Sequence, residues 1–580
     1  MLDKPIAALA LALLVAPYAS SQFINQRNGI RRVLLISIDE MHAVDYENCV
    51  SAKTCPTLAS LGTTGVNYTR TSTSRPSDSF PGLMAIVTGG SPRLVGAFYD
   101  VAYDRVYAPP AKSTGNGVFA GACTAGVPNG TTTEYEEGVD IDQTKVNGGQ
   151  PGASLTDGNV GAIDPARLPR DPFNNCFPVY PWNFIRANTI FGVIKQAGGH
   201  TAWSDKHPVY AAVSGPTGTA NPSNLDDFYG PEINSNVIGL PGVVTPKTHM
   251  HPNGITCTDA NGNPPDNNGG QWTDSFLNIQ CYDTLKVRAI VNQIDSKTHT
   301  GSPSRVPNIF GMNFQAVSVG QKLIEKVNGT KVFGGYLDAA ATPSPTLLDE
   351  IEFVDTSIGE MVSELQKQGL FESTLIIITA KHGQSPIDPN RFKELSSGIT
   401  TTPADVIASL LPPPPAPENP NTPADSTGLG AIGPTQDDIS LLWLNHTSDA
   451  AAAVQLLEAN ADAAGIGEIF YGQSLTTMFN APGVPPNGDP RSPDIVVQPY
   501  VGVIYTGSSK KQEEHGGFAQ DDTNVMLLVS NPNFAASTVT SFVETSQVAP
   551  TILEALGLDP TKLQAVQKEG TPVLPGLTLK

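Results

Sequence analysis

The chain has 580 residues, 39% of them hydrophobic, and carries 34 Lys plus Arg against 55 Asp plus Glu for a formal charge of −21. That length allows one large decorated domain or two, and the apolar fraction is that of a globular protein. The acidic balance argues against polymeric nucleic acid or an anionic membrane surface as partner, but leaves room for a small anionic substrate held by a few local cations.

In chain order, Lys4 precedes the apolar run "PIAALALALLVAPYASS", which is too short to span a bilayer and ends in small residues. It predicts a secretory signal peptide over residues 1–21, cleaved before Gln22. "RRVLLISIDEMH" then predicts a buried strand over 33–38 that delivers Asp39 and Glu40 at its carboxyl end. "SFPGLMAIVTGG" predicts a short helix with Ser79 at its start, where Ser77, Asp78 and Ser79 are equally suited to the cap. Regions 106–180 and 208–275, rich in Gly, Pro, Asn and Thr, predict long loops pinned by disulfides. "NFIRANTIFGVIKQAG" predicts a helix between them.

Further apolar runs at 309–314, 331–337, 375–379 and 525–530 predict strands. Uninterrupted apolar strands alternating with helices indicate a parallel sheet covered on both faces, with ligand sites gathered at the strand carboxyl ends. In "PTLLDEIEFVDTSIGEMVSELQKQG", Leu348, Ile351, Val354, Ile358, Met361 and Leu365 recur at three and four residues, the stripe of a helix packed on that sheet. "PPPPAPENPNTPAD" at 412–425 is a stiff connector. It opens a small inserted unit spanning 401–494, with a strand at "DISLLWLN" and an alanine-rich helix after it. The catalytic core would occupy 22–400 and resume at 495–580.

Six cysteines suit an oxidising compartment; pairing in chain order is expected from among the many connectivities they allow. Sequons at Asn67, Asn129, Asn328 and Asn445 agree with export as a glycoprotein.

Chemistry collects at the strand ends. Asp39 follows the first strand, Asp338 follows "VFGGYL", Lys381 and His382 follow "LIIIT", and His515 in "EEHGGF" precedes the last strand. Carboxylates with imidazoles suit a first-row metal. His207, His249 and His251 read instead as loop or pocket residues.

The order "ISIDEM", "SDSFPGLMAIVTG", "YLDAAATPSP", "TAKHGQ", "EEHGGF" and "TSQVAPTILEALGL" resembles the type I phosphodiesterase/nucleotide pyrophosphatase family of the alkaline phosphatase superfamily. The resemblance implies an alkaline phosphatase-like, doubly wound α/β core with two Zn²⁺ ions. One would be held by Asp39, the Ser79 oxygen and His382, the other by Asp338 and His515. Ser79 would attack phosphorus in line, form a covalent intermediate and be regenerated by metal-activated water. The substrate would be a small anionic phosphodiester or pyrophosphate-type ester.

Three positions depart from the family pattern. Lys381 stands at an acidic metal ligand, Thr342 at a His ligand, and Asp100 where many members have a substrate-contacting Asn. An ammonium about 4 Å from a divalent ion is repelled by about 8 kcal/mol at an effective dielectric of 20. Lys381 therefore turns away, is neutral, or replaces part of a metal's electrostatic role, with Asp100 as its expected counter-ion. The alternatives to a two-metal diesterase are a one-metal hydrolase of phosphate, phosphonate or sulfate esters, and a binding protein that has lost catalysis.

Overall fold

The computed structural model describes residues 29–579 except 111–122, 127, 136–139, 143–144, 146–158, 236–239, 267–271, 412–434 and 507. The expected signal peptide and polyproline connector lie outside the described residues.

Eight strands build the main sheet: β1 Arg32–Ile38, β2 Gly65–Tyr68, β3 Ala202–Ser204, β4 Asp227–Tyr229, β5 Ile309–Phe314, β6 Thr374–Thr379, β7 Leu527–Ser530 and β8 Ser537–Val539. Their order across the sheet is β8-β2-β7-β6-β1-β5-β3-β4. Every neighbouring pair is parallel except the two made by β7, which runs against both β6 and β2. The mostly parallel doubly wound sheet expected from the sequence is thus present.

The strand side chains divide by parity. On β1, Val33 and Leu35 enter one core while Leu34, Ile36 and Ile38 enter the other; on β6, Leu375 and Ile377 oppose Ile376 and Ile378. Burial on both faces explains why these strands read as unbroken apolar runs. Four helices matter most: α1 Ser79–Thr88, α2 Phe276–Ile294, α3 Pro345–Lys367 and α4 Val548–Ala555. The first core packs α1 and α4, the second α2 and α3. The apolar stripe of α3 is as expected except at its start, where Leu347 is buried and Leu348 is not.

Four expectations need correction. Residues 331–337 do not enter the main sheet: Thr330–Phe333 pairs only with Ile324–Val327 in an exposed hairpin, and Gly334 and Gly335 end it. The run 525–530 is broken at Met526, with only Leu527–Ser530 joining the main sheet. The helix expected over 183–198 is interrupted, leaving Pro181–Phe184 and Ile190–Gln196. Finally, Ile495–Pro499 belongs to a separate four-stranded sheet with Ser440–Leu442, Ile466–Tyr471 and Thr435–Gln436, so the main sheet is rejoined at β7.

The disulfides pair in chain order, Cys49–Cys55, Cys123–Cys176 and Cys257–Cys281. Asn129, Asn328 and Asn445 are exposed, whereas Asn67 is half-buried within β2. Among the described residues no helix is long and apolar enough to cross a membrane.

Candidate active site

Ser79 opens α1, and the capping question is settled by geometry: Asp78 is the N-cap, its carboxylate accepting from the Phe80 amide at 3.0 Å. The Ser79 hydroxyl is therefore released from capping. Its Oγ lies 2.9 Å from His382 Nε2, 2.9 Å from Lys206 Nζ and 3.4 Å from Asp39 Oδ2.

The strand ends supply these neighbours. Asp39 follows β1, Asp205 and Lys206 follow β3, Asn313 and Gln315 lie at the end of β5, and Lys381 and His382 follow β6. The β6 loop is held close to α1 because residue 82 is glycine; a Cβ there would meet the Lys381 carbonyl oxygen at 2.2 Å. Gly383 is required for a similar reason, since its Cβ would lie 2.2 Å from the Asp521 carbonyl oxygen. The turn after β1 is unusual too. Glu40 has φ 67°, a left-handed conformation that costs a non-glycine residue energy.

Asp39 is buried in cationic and amide donors. Its Oδ2 accepts from Gln315 Nε2 at 2.6 Å and Asn313 Nδ2 at 3.2 Å, with Lys206 Nζ at 3.5 Å and Lys381 Nζ at 3.8 Å. Burial alone would raise its pKa, but Lys381, Lys206 and His382 hold the carboxyl far below the usual range. Behind it, Asp283 accepts from the Gln315 and Ala316 amides at 2.7 and 2.8 Å and pairs with Lys286 at 2.8 Å, fixing the backbone that presents Gln315.

Lys381 is fully buried. Its ammonium turns to Asp205 Oδ1 at 3.0 Å and sits 3.9 Å from the centre of the Tyr210 ring, a cation–π contact. Asp205 is itself fixed, its Oδ2 accepting from Trp203 Nε1 at 2.9 Å. The counter-ion expected at Asp100 is thus supplied by Asp205 and Asp39. Asp100 instead donates its amide to Asp78 at 3.0 Å, and its carboxylate accepts from the Val101 amide at 2.6 Å.

A different group gathers on the other flank. Ligand atoms of Glu40, His382 and His515 all lie within 4.8 Å of one another. Burial draws the His382 imidazole below its ordinary pKa despite the pull of Asp39 and Glu40. His515 is lowered further by burial, with His382 and three lysines adding to the effect. His382 Nδ1 faces the Gly383 carbonyl at 2.9 Å, an arrangement that puts its proton on Nδ1 and leaves the Nε2 lone pair available. Glu40 Oε2 is buried with no hydrogen-bond partner among the described residues, while its Oε1 lies 3.5 Å from Lys322 Nζ. One carboxylate and two neutral imidazoles fit a single divalent cation with a coordination position left open. A second cation does not fit beside Asp39 and Ser79, where two ammonium groups already lie.

Asp338, expected as a ligand, is exposed; its carboxylate accepts from the Ala340 and Thr342 amides at 2.9 and 3.2 Å and stabilises its own turn. The physical reason is the hairpin noted above: "VFGGYL" is not a strand of the main sheet, so Asp338 does not stand at one of that sheet's strand ends. Thr342 lies in the same exposed turn. His207 is a buried partner of Glu232 at 2.7 Å, and His251 lies 3.5 Å from Asp349. Sequence reasoning missed Asp205, Lys206, Asn313 and Gln315. Of these, Asp205 and Lys206 had one available signal, their place immediately after "TAWS", but that strand is only three residues long.

The chain matches the profile described as "Type I phosphodiesterase / nucleotide pyrophosphatase" over residues 33–118 and 333–521. Similar solved structures include murine ectonucleotide pyrophosphatase/phosphodiesterase 5, in an inactive form with AMP, at 13% identity and TM-score 0.48, covering 91% of this chain and 96% of that one. The same murine protein without that description gives 13% and 0.47 over 91% and 96%, and the human protein gives 13% and 0.44 over 91% and 95%. No curated protein sequence matches.

Proposed function

Because this chain belongs to the type I phosphodiesterase/nucleotide pyrophosphatase family of phosphoric ester hydrolases, we propose that it hydrolyses a small phosphodiester or pyrophosphate-type ester through Ser79, at a site built for one divalent cation. The observation that carries this reading is the Ser79 hydroxyl, freed from capping by Asp78 and 2.9 Å from the Nε2 lone pair of His382.

Glu40, His382 and His515 would hold the cation, which when bound supplies Lewis-acid polarisation of a phosphoryl oxygen and a more acidic water. The chain itself performs the rest. Ser79 Oγ forms a bond to phosphorus as the bond to the leaving oxygen breaks, giving a phosphoserine that water then cleaves. Its proton has two acceptors within reach, His382 Nε2 at 2.9 Å and Asp39 Oδ2 at 3.4 Å, and the second serves when a cation occupies the first. Ser79 stands at the N-terminal end of α1, whose dipole favours the developing negative charge. Three disulfides fit export to an oxidising compartment, where the expected zinc and a small anionic ester would be met.

The test is turnover of bis(4-nitrophenyl) phosphate by the wild type and by Ser79→Ala. Loss on the order of 1,000-fold or more is expected. Equal turnover by both chains would remove Ser79 as nucleophile, and absence of turnover in a cation-loaded wild type would favour a binding protein that retains the fold.

A further inference from the structure

We propose that Lys206 is a catalytic residue of this site, an ammonium that takes the electrostatic place of a second cation beside Ser79, with Asp205 and Lys381 as its positioning residues. The inference rests on the reading of Ser79 as nucleophile and adds a group that the family motifs do not supply. Lys206 and Asp205 lie between the two matched segments, 33–118 and 333–521.

Three observations converge. Lys206 Nζ donates to Ser79 Oγ at 2.9 Å and lies 3.5 Å from Asp39 Oδ2, so it touches the attacking atom. Its side chain is mostly buried and retains 12% exposure. Its backbone is fixed at both ends of the peptide: the amide donates to Asp205 Oδ1 at 2.8 Å, and the carbonyl accepts from Tyr282 Oη and the Ile233 amide, each at 3.0 Å. The Asp205 oxygen that receives the Lys206 amide is the one paired with Lys381.

The charges therefore alternate along a chain: Asp205, Lys381, Asp39, Lys206, then the Ser79 oxygen. Two carboxylates balance two ammonium groups before any substrate enters. As Ser79 gives up its proton to His382 or Asp39, the growing negative charge on Oγ falls beside Lys206. Once the Oγ–phosphorus bond has formed, the same ammonium faces the nonbridging oxygens of the phosphoserine. Lys206 keeps all of its own protons through the step, and the leaving oxygen departs with the electron pair of the broken bond. An ammonium supplies charge and hydrogen bonds but neither Lewis acidity nor hydroxide. The acid-to-lysine change at 381 and the lysine at 206 meet at one carboxylate, Asp39, and compensate each other.

Purified full-length protein decides the matter with three readings: cation content per chain by elemental mass spectrometry after incubation with Zn²⁺, kcat and KM on bis(4-nitrophenyl) phosphate, and calorimetric affinity for inorganic phosphate. One cation per wild-type chain is expected. Lys206→Met should lower kcat on the order of 100- to 1,000-fold, the range for losing one preorganised donor to a developing oxyanion, with KM nearly unchanged, phosphate affinity weakened about tenfold and one cation retained. Lys206→Arg should recover much of the phosphate affinity, and Lys206→Gln replaces the methionine variant should that one fail to fold. Two cations per wild-type chain, or unchanged kcat and phosphate affinity in Lys206→Met, would overturn the proposal. If Ser79→Ala abolishes turnover while Lys206→Met leaves it intact, the lysine assignment falls and the nucleophile stands; if Ser79→Ala is fully active, the parent reading falls first.

Discussion

The two flanks of Ser79 balance charge in different ways. Toward β3 and β5, Asp39 and Asp205 are matched by Lys206 and Lys381, with Gln315, Asn313 and Trp203 Nε1 as further donors. Toward His515, Glu40 meets Lys322 at 3.5 Å and two imidazoles whose protonation burial opposes. Each flank keeps one buried carboxylate oxygen without a hydrogen-bond partner among the described residues, Asp39 Oδ1 and Glu40 Oε2, but two ammonium groups lie within 3.8 Å of the first carboxylate and only Lys322 lies near the second, at 3.5 Å. Adjacent residues on one strand end, Asp39 and Glu40, thus serve opposite arrangements, and the left-handed backbone at Glu40 is where they part.

The comparison is broken most severely at its buried lysine. Lys381→Met removes the partner of two buried carboxylates, and breaking such a pair costs about 3–5 kcal/mol. Chemical denaturation should show that loss, and adding Asp205→Asn should restore part of it; an unchanged midpoint for the single variant would contradict a charge-balanced flank. A smaller, more local effect is expected across the site. Glu40→Gln should weaken Zn²⁺ binding by about tenfold to a hundredfold, taking the range for outer partners as a floor for a direct donor, while stability without metal changes little. Equal Zn²⁺ affinity in the variant would mean that the imidazole flank is not a cation site. The smallest effect sharpens the boundary: Asp338→Asn, on an exposed turn, should leave kcat within about twofold and the denaturation midpoint unchanged. A large loss of bound cation there would return Asp338 to the ligand set.

The core of the fold was legible because β1, β5 and β6 are buried on both faces and consist largely of apolar residues. The same rule failed at 331–337, where a similar run contains two glycines and forms a half-exposed hairpin; hydrophobicity without periodicity does not distinguish these cases. Asp39, Ser79 and His382 stand at or just past strand and helix ends, where the sequence placed them, whereas His515 sits in a loop whose neighbour Gly516 bridges Ser77, and the family resemblance is what assigns it to the site. Lys206 was hidden for a geometric reason. Its strand, β3, is three residues long, and its importance depends on which strands are neighbours: β3 pairs with β5, which pairs with β1, and that order brings residue 206 to residue 39. Lys381 could be flagged as an anomaly from sequence, but its partner could not be named, because Asp205 is 176 positions away.

The glycine at position 82 has a consequence for how such a site can change. The nucleophile helix and the β6 loop touch through bare main chain, so the separation of Ser79 and His382 is set by backbone contact and is insulated from the identity of the side chain at 381. A substitution there rewrites the local charge without moving the attacking oxygen or its acceptor. Geometry and electrostatics are in this sense separate modules: the side chain at 381 can set the charge of the site while its mechanical frame stands on main-chain contact.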